Sequence, residues 1–215
     1  HTATAEVTPH AVPAGAVATF DAYLLPRVGS KDTGVNRVEV ALPAGYGMPV
    51  VSAVQVDGLA AGYADASRAG AAAVLLASRV QDGQLVRLRF TASTPTEADA
   101  AGADFAVSLD DTATSVPPQV ATPGDANSVA DGDNWHVRVE PGPLALVTVA
   151  PRDVVCMVDS VIAFTVTGQD AHGNAVAVTP AWTVTGGIGS ISVAGVFTSQ
   201  TPGSGLVIAS SGSVS

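Results

Sequence analysis

Apolar and basic side chains alternate along the stretch Leu85-Val-Arg-Leu-Arg-Phe-Thr91. A period of two turns one set of side chains toward a core and the other toward solvent, which is typical of a half-buried β-strand. The turn signal Gln81-Asp-Gly-Gln84 precedes it, and the apolar run from Ala72 to Val80 precedes that turn. Because Asp-Gly supplies the positive-φ positions of a tight turn, the sequence predicts a β-hairpin here.

Working outward, the same alternation recurs in Val35-Asn-Arg-Val-Glu-Val-Ala-Leu42 and in Trp135-His-Val-Arg-Val139. Residues 94–103, Thr-Pro-Thr-Glu-Ala-Asp-Ala-Ala-Gly-Ala, are predicted to form a loop. Hydrophobic residues make up 47% of the 215-residue chain, which also holds 22 glycines and 14 prolines. This composition favours an all-β protein with many turns.

A boundary is predicted at Pro141-Gly-Pro143, since two prolines and a glycine end a β-ladder and stiffen a short linker. We therefore expect an N-terminal β-sandwich in residues 1–143 and a second domain in residues 144–215. Turn signals recur in the second domain roughly every 8–12 residues, as in immunoglobulin-like sandwiches. The predicted fold is two immunoglobulin-like β-sandwiches in tandem.

The C-terminal third carries motifs that resemble the bacterial immunoglobulin-like repeat of invasin- and intimin-type surface proteins. The motifs are Val147-Thr-Val-Ala-Pro151, Phe164-Thr-Val-Thr-Gly168, Asp170-Ala-His-Gly-Asn174, Val178-Thr-Pro-Ala-Trp182, Gly186-Gly-Ile-Gly189, Gly195-Val-Phe-Thr198 and Gly203-Ser-Gly205. The resemblance implies a sandwich in which Trp182 fills the space between the sheets. Residues 1–145 are loosely similar to repeats of secreted bacterial surface proteins, through Asp32-Thr-Gly-Val-Asn36 and Leu42-Pro-Ala-Gly-Tyr46.

Repeats of the first family continue past a Ser-Gly-Ser-Val-Ser segment into a final strand, whereas the sequence here ends at Ser215. The second domain is therefore expected to lack its last strand and to leave an open edge that templates strand addition. The predicted acceptor residues are Leu206, Ile208, Ser210 and Val214. The predicted donor is the alternating N-terminal segment of a neighbour: Thr2, Ala3, Thr4, Ala5, Glu6 and Val7.

Net charge, hydropathy and the first residue bear on the partners and the location of the protein. The formal net charge of −10, with a single lysine, argues against nucleic acid, which requires clustered basic residues. No apolar run approaches the ~20 residues of a membrane helix, so membrane insertion is not expected. The start at His1 favours processing after export and thus a secreted or cell-surface protein, or else a fragment of a longer polypeptide.

Oxygen-bearing side chains cluster in Gly124-Asp-Ala-Asn-Ser-Val-Ala-Asp-Gly-Asp133. Asp125, Asn127, Asp131 and Asp133 are candidate ligands for calcium, a hard cation that prefers several oxygens on a tight loop. The spacing is not that of an EF-hand, and the same residue types also form ordinary turns. Calcium binding and plain turn chemistry both remain open here.

No catalytic motif is present, and we expect no enzyme activity. The chain has neither a Gly-x-Ser-x-Gly elbow nor a haem-attachment motif. The one concrete enzymatic alternative is copper oxidation, with the amine and ring of His1 chelating the metal. Cys156, the sole cysteine, lies in an apolar run and is expected to be buried. Tyr23, Tyr46, Tyr63, Trp135 and Trp182 are candidates for a glycan-binding platform.

These observations predict an extracellular structural subunit of a surface fibre, pilus-like filament or surface layer. Copies would assemble head to tail by strand addition, so the partner is the chain itself. An adhesin or glycan-binding stalk is the alternative, with calcium making the 124–133 loop rigid. A third interpretation is that the missing strand simply continues in cis in a longer chain.

Overall fold

A computed structural model describes residues 2–28, 34–112, 118–124, 126 and 134–215. Within these ranges every regular element is a β-strand, so the all-β prediction is confirmed. The chain divides into two compact units, His1–Glu140 and Pro141–Ser215, close to the predicted boundary at residue 143. We call them unit 1 and unit 2.

Unit 1 contains fourteen strands within its described residues. They are β1 (Thr2–Thr8), β2 (Ala11–Pro13), β3 (Val17–Arg27), β4 (Val35–Ala41), β5 (Val50–Val56), β6 (Leu59–Ala60), β7 (Tyr63–Asp65), β8 (Ala71–Val80), β9 (Val86–Ser93), β10 (Asp99–Asp104), β11 (Val107–Asp110), β12 (Gln119–Val120), β13 (Thr122–Pro123) and β14 (His136–Glu140).

Three sheets organise these strands. The largest has the order β13-β1-β3-β9-β5-β6, the second β12-β11-β4-β8-β7, and a small third sheet β10-β14-β2. Alternating inward residues of the two larger sheets form one buried cluster, as in a β-sandwich. Phe20 stacks on Phe90 at 5.3 Å between ring centroids and packs against Phe105 at 5.1 Å.

The predicted hairpin between β8 and β9 is wrong. β8 pairs with β4 and β7, whereas β9 pairs with β3 and β5 in the other large sheet. The Asp-Gly turn is present, with Gly83 at φ 75°, but it carries the chain across the sandwich. Period-two patterning fixes which side of a strand is buried and leaves its pairing partner undetermined.

The predicted loop at residues 94–103 is also partly wrong, because β10 begins at Asp99. Its sequence Asp-Ala-Ala-Gly-Ala-Asp has few of the β-branched and aromatic residues that favour strands. β10 is an edge strand and depends on its pairing with β14, which no local propensity reveals.

Unit 2 contains eight shorter strands. They are β15 (Leu144–Ala150), β16 (Val161–Ala163), β17 (Thr165–Asp170), β18 (Ala175–Val176), β19 (Ala181–Val184), β20 (Gly189–Ile191), β21 (Val196–Ser199) and β22 (Val207–Ser210). They form the small sheets β15-β17-β18, β16-β21-β20 and β19-β22. Phe197 and Ala209 are the only buried hydrophobic residues of this unit, so its core is thin.

Candidate functional site

The site lies along β22, the last strand of unit 2. β22 pairs antiparallel with β19 over four positions, from Ala181↔Ser210 to Val184↔Val207. Its other side carries no strand anywhere in the described chain. A strand paired on one side alone presents unsatisfied backbone donors and acceptors, which can template another strand.

The register shows which residues present these groups. The Thr185 amide donates to the Leu206 carbonyl at 3.0 Å, which makes 185–206 a hydrogen-bonded pair. Hydrogen-bonded and non-bonded pairs alternate along an antiparallel ladder. The backbone groups of Val207 and Ala209 therefore point away from β19, and those of Ile208 and Ser210 point toward it. Val207 and Ala209, whose backbone groups point outward, lie between the predicted acceptor residues Leu206, Ile208 and Ser210.

The side chains beside this edge are only half covered. Trp182, expected to fill the space between the sheets, is half-buried, as are Val184 and Val207 on neighbouring positions. Trp182 packs on the backbone of Gly195, where an added Cβ would lie 3.0 Å from its Cζ2 atom. The indole therefore packs against Gly195 within unit 2, and part of it remains exposed to solvent.

The segment after β22 turns back on itself. The Ser211 amide donates to the Val214 carbonyl at 2.8 Å and the Val214 amide to the Ser211 carbonyl at 3.1 Å. Gly212 adopts φ 59° within this turn. Val214, the last predicted acceptor residue, thus forms one antiparallel bridge with Ser211 beside the end of β22.

The motif Asp170-Ala-His-Gly-Asn174 stabilises a different part of unit 2. The Asp170 carboxylate accepts hydrogen bonds from the backbone amides of His172, Asn174 and Gly142, and from the Asn174 side chain, at 2.8–2.9 Å. Burial alone would raise the pKa of Asp170. The hydrogen bonds outweigh it, Asn174 first, and hold that pKa well below its usual value. Asp170 thereby ties the segment before β15 to the β17–β18 turn.

The predicted donor strand is already paired within unit 1. Residues Thr2 to Thr8 form β1, which pairs with β3 at seven consecutive positions. Ala3, Ala5 and Val7 are buried in the core of unit 1, and Glu6 is fully buried as well. To pair with β22 of a neighbouring copy, β1 would first have to detach from β3.

Two of the other candidate sites fall on residues that the structure does not describe. Asp125, Asn127, Asp131 and Asp133 lie outside the described residues, as does His1. No group of three or more His, Cys, Asp or Glu side chains able to hold a metal occurs among the residues that are described. His10, His136 and His172 lie in separate places: beside Asn134, beside Asp104 and in the β17–β18 turn.

The aromatic residues considered for glycan binding lie in different environments. Trp135 is buried, and Tyr46 packs edge-on against Phe105 at 4.9 Å within the core of unit 1. Tyr23 lies under the Arg87 guanidinium at 5.7 Å, and Trp182 belongs to unit 2.

The expectation that Cys156 is buried is wrong. It is an exposed free cysteine in the connection between β15 and β16. Its neighbours Val155 and Met157 are 98% and 81% exposed. Asp153 and Asp159 flank the run with positive φ values of 52° and 68°. Apolar composition predicted burial, but the run belongs to none of the strands of unit 2 and lies at the surface.

An ion cluster on the outer side of the large sheet was missed by sequence reasoning. The Asp21 carboxylate accepts two hydrogen bonds from each of Arg87 and Arg89, at 2.8–2.9 Å. Burial would raise the pKa of Asp21, but the two guanidinium groups lower it overall. The three residues meet because β3 pairs with β9, and the alternation of Arg87 and Arg89 was the available signal.

Comparison with known proteins gives distant structural likenesses. No family model matches the chain, and no curated protein matches it. An uncharacterized Nocardia farcinica protein, described as revealing an immunoglobulin-like fold, is 12% identical with a TM-score of 0.40, covering 65% of this chain and 99% of that one.

Two further structures are similar over nearly the whole length of this chain. BcpA, the major pilin subunit of Bacillus cereus, is 10% identical with a TM-score of 0.44, over 98% of this chain and 66% of the pilin chain. Domains 1–6 of the surface layer protein SbsC are 15% identical with a TM-score of 0.29, over 100% of this chain and 40% of that one. Within the described residues, no helix is long and apolar enough to cross a membrane.

Proposed function

We propose that this chain is an extracellular structural subunit of a surface fibre, pilus-like filament or layer. Unit 2 is the acceptor, and an extended segment from a neighbouring copy adds to β22. The contact joins two different surfaces, and it propagates into a filament because the rotation between neighbouring copies does not close a ring in this proposal. The proposal assigns the chain no catalytic role.

The observation that carries this proposal is the open edge of β22 beside a half-covered Trp182. Backbone groups of Val207 and Ala209 supply ladder partners, and the exposed side of Trp182 supplies apolar area. Main-chain hydrogen bonds give affinity in strand addition, while alternate side chains give specificity. The resemblance of residues 146–215 to repeats of bacterial surface proteins supports the cell-surface location.

The incoming segment must present small or β-branched residues on the side that meets Trp182 and Val207, because little space is left beside a half-buried indole. Thr2–Val7 fits this description in sequence. As β1, however, it contributes three buried apolar residues to unit 1. Donation by β1 would therefore require strand exchange, in which the subunit gives up part of its own core.

A proline on the open edge tests the acceptor. Val207→Pro removes the outward amide of residue 207 while keeping the ladder to β19, because that amide does not face β19. The matched control is Val193→Pro, since Val193 is 95% exposed in the β20–β21 turn closed by the Gly195 amide donating to Ser192. Proline is well tolerated at that turn position.

Sedimentation velocity and negative-stain electron microscopy of concentrated full-length protein provide the readout. We expect oligomers or filaments for the unaltered chain and for Val193→Pro, and monomers for Val207→Pro. Equal assembly of the two proline variants, with both folded by circular dichroism, contradicts the proposal.

A disulfide that locks β1 in place tests which segment is donated. Thr4 and Leu25 are register partners between β1 and β3. The variant Thr4→Cys/Leu25→Cys, in a Cys156→Ser background, holds β1 in unit 1 when oxidised. Loss of assembly on oxidation, reversed by reductant, identifies β1 as the exchanged donor. Undiminished assembly assigns the donor to another segment and leaves the acceptor role intact.

The turn at Ser211–Val214 favours one rival, in which the edge is completed in cis. The turn directs the chain back beside β22, so residues following position 215 in a longer polypeptide would reach the same edge. The intact mass of the native protein, and the assembly state of a chain extended beyond Ser215, separate the two cases. A monomeric extended chain supports completion in cis.

The calcium site at Asp125, Asn127, Asp131 and Asp133 is retained as a secondary proposal for unit 1. Calcium that binds only the folded state stabilises it, and the stabilisation grows with the logarithm of the calcium concentration once that exceeds the dissociation constant. We expect calcium to raise the melting temperature of unit 1 in the unaltered chain and to leave the Asp131→Asn/Asp133→Asn variant unchanged.

A further inference from the structure

His136 is held at both ring nitrogens by acceptors on the neighbouring strand. Its Nδ1 atom lies 2.7 Å from Asp104 Oδ1, and its Nε2 atom lies 2.7 Å from the carbonyl oxygen of Ala101. His136 begins β14, and both partners belong to β10, the edge strand of the β10-β14-β2 sheet. The ring therefore bridges two points of one strand.

These two contacts specify a protonation state. A backbone carbonyl only accepts hydrogen bonds, and an ionised carboxylate does the same. Neutral imidazole carries one N–H and would leave a lone pair facing the second acceptor at 2.7 Å. The doubly protonated imidazolium can donate to both acceptors, so the charged ring satisfies both contacts at once.

The ring lies over an irregularity in the ladder. The register between β10 and β14 shifts between Asp99↔Val139 and Ala103↔Val137, which marks a bulge. Gly102 adopts φ 72° there, and an added Cβ would lie 2.6 Å from His136 Nε2. The bulge brings the Ala101 carbonyl to the ring, and the missing side chain at residue 102 leaves the ring room.

We propose that His136 is a proton-dependent clamp on the bulge of β10. The imidazolium donates simultaneously to Asp104 and to Ala101 and holds the edge strand against β14. Loss of one ring proton removes one of these hydrogen bonds and places a lone pair against an acceptor, so β10 loosens. The half-exposed ring exchanges its proton directly with solvent.

Charged and titratable groups surround this clamp on all adjoining elements. Asp99 and Asp104 belong to β10, and Arg138 and Glu140 lie on the same side of β14 as His136. On the far side, the carbonyl of His10 accepts from the Arg138 amide, next to β2. The carboxylates favour the charged ring, and Arg138 opposes it. The position of the transition is therefore set by all of these groups together.

Amide hydrogen exchange of the full chain tests the clamp at about pH 5.5 and about pH 8, which bracket the range in which histidine titrates. After correction for intrinsic exchange chemistry, we expect protection of the β10 amides to fall about three- to tenfold at the higher pH, the effect of one hydrogen bond. Nitrogen-15 spectra of the imidazole should show two protonated ring nitrogens at the lower pH and one at the higher.

Two variants separate the clamp from an ordinary structural contact. His136→Gln should abolish the pH dependence of β10 protection, and His172→Gln, which alters a histidine of unit 2, should retain it. A His136 ring that is singly protonated at both pH values, or β10 protection that is unchanged with pH in the unaltered chain, overturns the proposal. The ring spectrum decides the matter even where His136→Gln fails to fold.

Discussion

Unit 1 and unit 2 are both built of short β-strands, but they differ in how far their cores are closed. In unit 1, Phe20, Phe90 and Phe105 are fully buried between two large sheets. In unit 2, Phe197 is buried, but Trp182, which was expected to fill the space between the sheets, stays half-exposed. Unit 2 therefore buries the apolar residues of its strands less completely than unit 1 does.

The sheet edges of the two units differ in the same way. Unit 1 pairs β1 with a long neighbour and adds the short β13 on its outer side. In unit 2, the side of β22 opposite β19 is left without a strand in the described chain. Thin packing and an open edge therefore occur together, as expected where one strand supplies both the cover and the ladder.

The largest expected effect compares one aromatic truncation in each unit. Phe90→Ala should destabilise unit 1 by about 3–5 kcal/mol, the usual range for a fully buried aromatic residue. Trp182→Ala should cost unit 2 about half as much, because much of the indole already contacts water. Urea unfolding, followed as two transitions, measures both.

Addition of a strand to β22 should change the loss of stability that Trp182→Ala causes. A segment that covers Trp182 raises the cost of Trp182→Ala in the assembled protein toward that of Phe90→Ala. Equal losses for the two variants in the isolated monomer would contradict the picture of a half-closed unit 2.

An intermediate effect is expected on the acid side of the pH range. The folded-state pKa of Asp170 is depressed, so its stabilisation is present above the ordinary aspartate pKa of about 4 and is lost as pH falls below it. Asp170→Asn should lower the melting temperature of unit 2 by several degrees near neutral pH and flatten its acid dependence. Differential scanning calorimetry between about pH 2 and pH 7 measures this.

The matched control is Asp159→Asn, because Asp159 is an exposed residue of unit 2 in the β15–β16 connection. It should leave both the neutral-pH melting temperature and the acid profile of unit 2 unchanged. A parallel shift by the two variants would show that general charge, rather than the Asp170 hydrogen bonds, sets the profile.

The smallest effect concerns the hydroxyl group of Tyr46, which lies at the core of unit 1. Within the described residues, the Tyr46 hydroxyl is buried and has no hydrogen-bond partner. Burial, aided by the Asp99 carboxylate, raises the pKa of Tyr46 to about 12. Tyr46→Phe should therefore leave unit 1 unchanged or stabilise it by up to about 1 kcal/mol, since an unsatisfied hydroxyl contributes nothing favourable.

Urea unfolding of unit 1 checks this, with Tyr63→Phe as control because Tyr63 lies partly exposed beside the same core. A loss above about 1 kcal/mol for Tyr46→Phe would show that the hydroxyl has a partner in solution.

Strand positions and burial could be predicted from the sequence because period-two alternation follows directly from strand geometry. The inward positions Val38, Val40, Leu88 and Phe90 are all buried as their patterns indicate. Pairing partners could not be predicted in the same way. β8 and β9 flank a turn signal and nevertheless belong to different sheets. Val80 and Val86, on either side of the turn, are both buried in this arrangement, so the burial pattern alone does not distinguish it from a hairpin.

The acceptor edge was predicted in part. Motifs in residues 146–215 and the absence of a following strand pointed to an unfinished sandwich. Only the register 185–206 shows that Val207 and Ala209 present the open backbone groups. The alternating pattern of Thr2–Val7 could not identify the donor, because that pattern is compatible both with pairing to β3 of unit 1 and with pairing to a strand of a neighbouring copy.

The sequence by itself determined that the chain is all-β and which side of most strands is buried, because these properties depend on residues close together along the chain. Only the tertiary structure decided that β1 belongs to unit 1, that Cys156 is exposed, and that His136 spans Ala101 and Asp104. These facts depend on pairing between residues far apart in sequence, where many arrangements bury the same side chains and backbone geometry selects one.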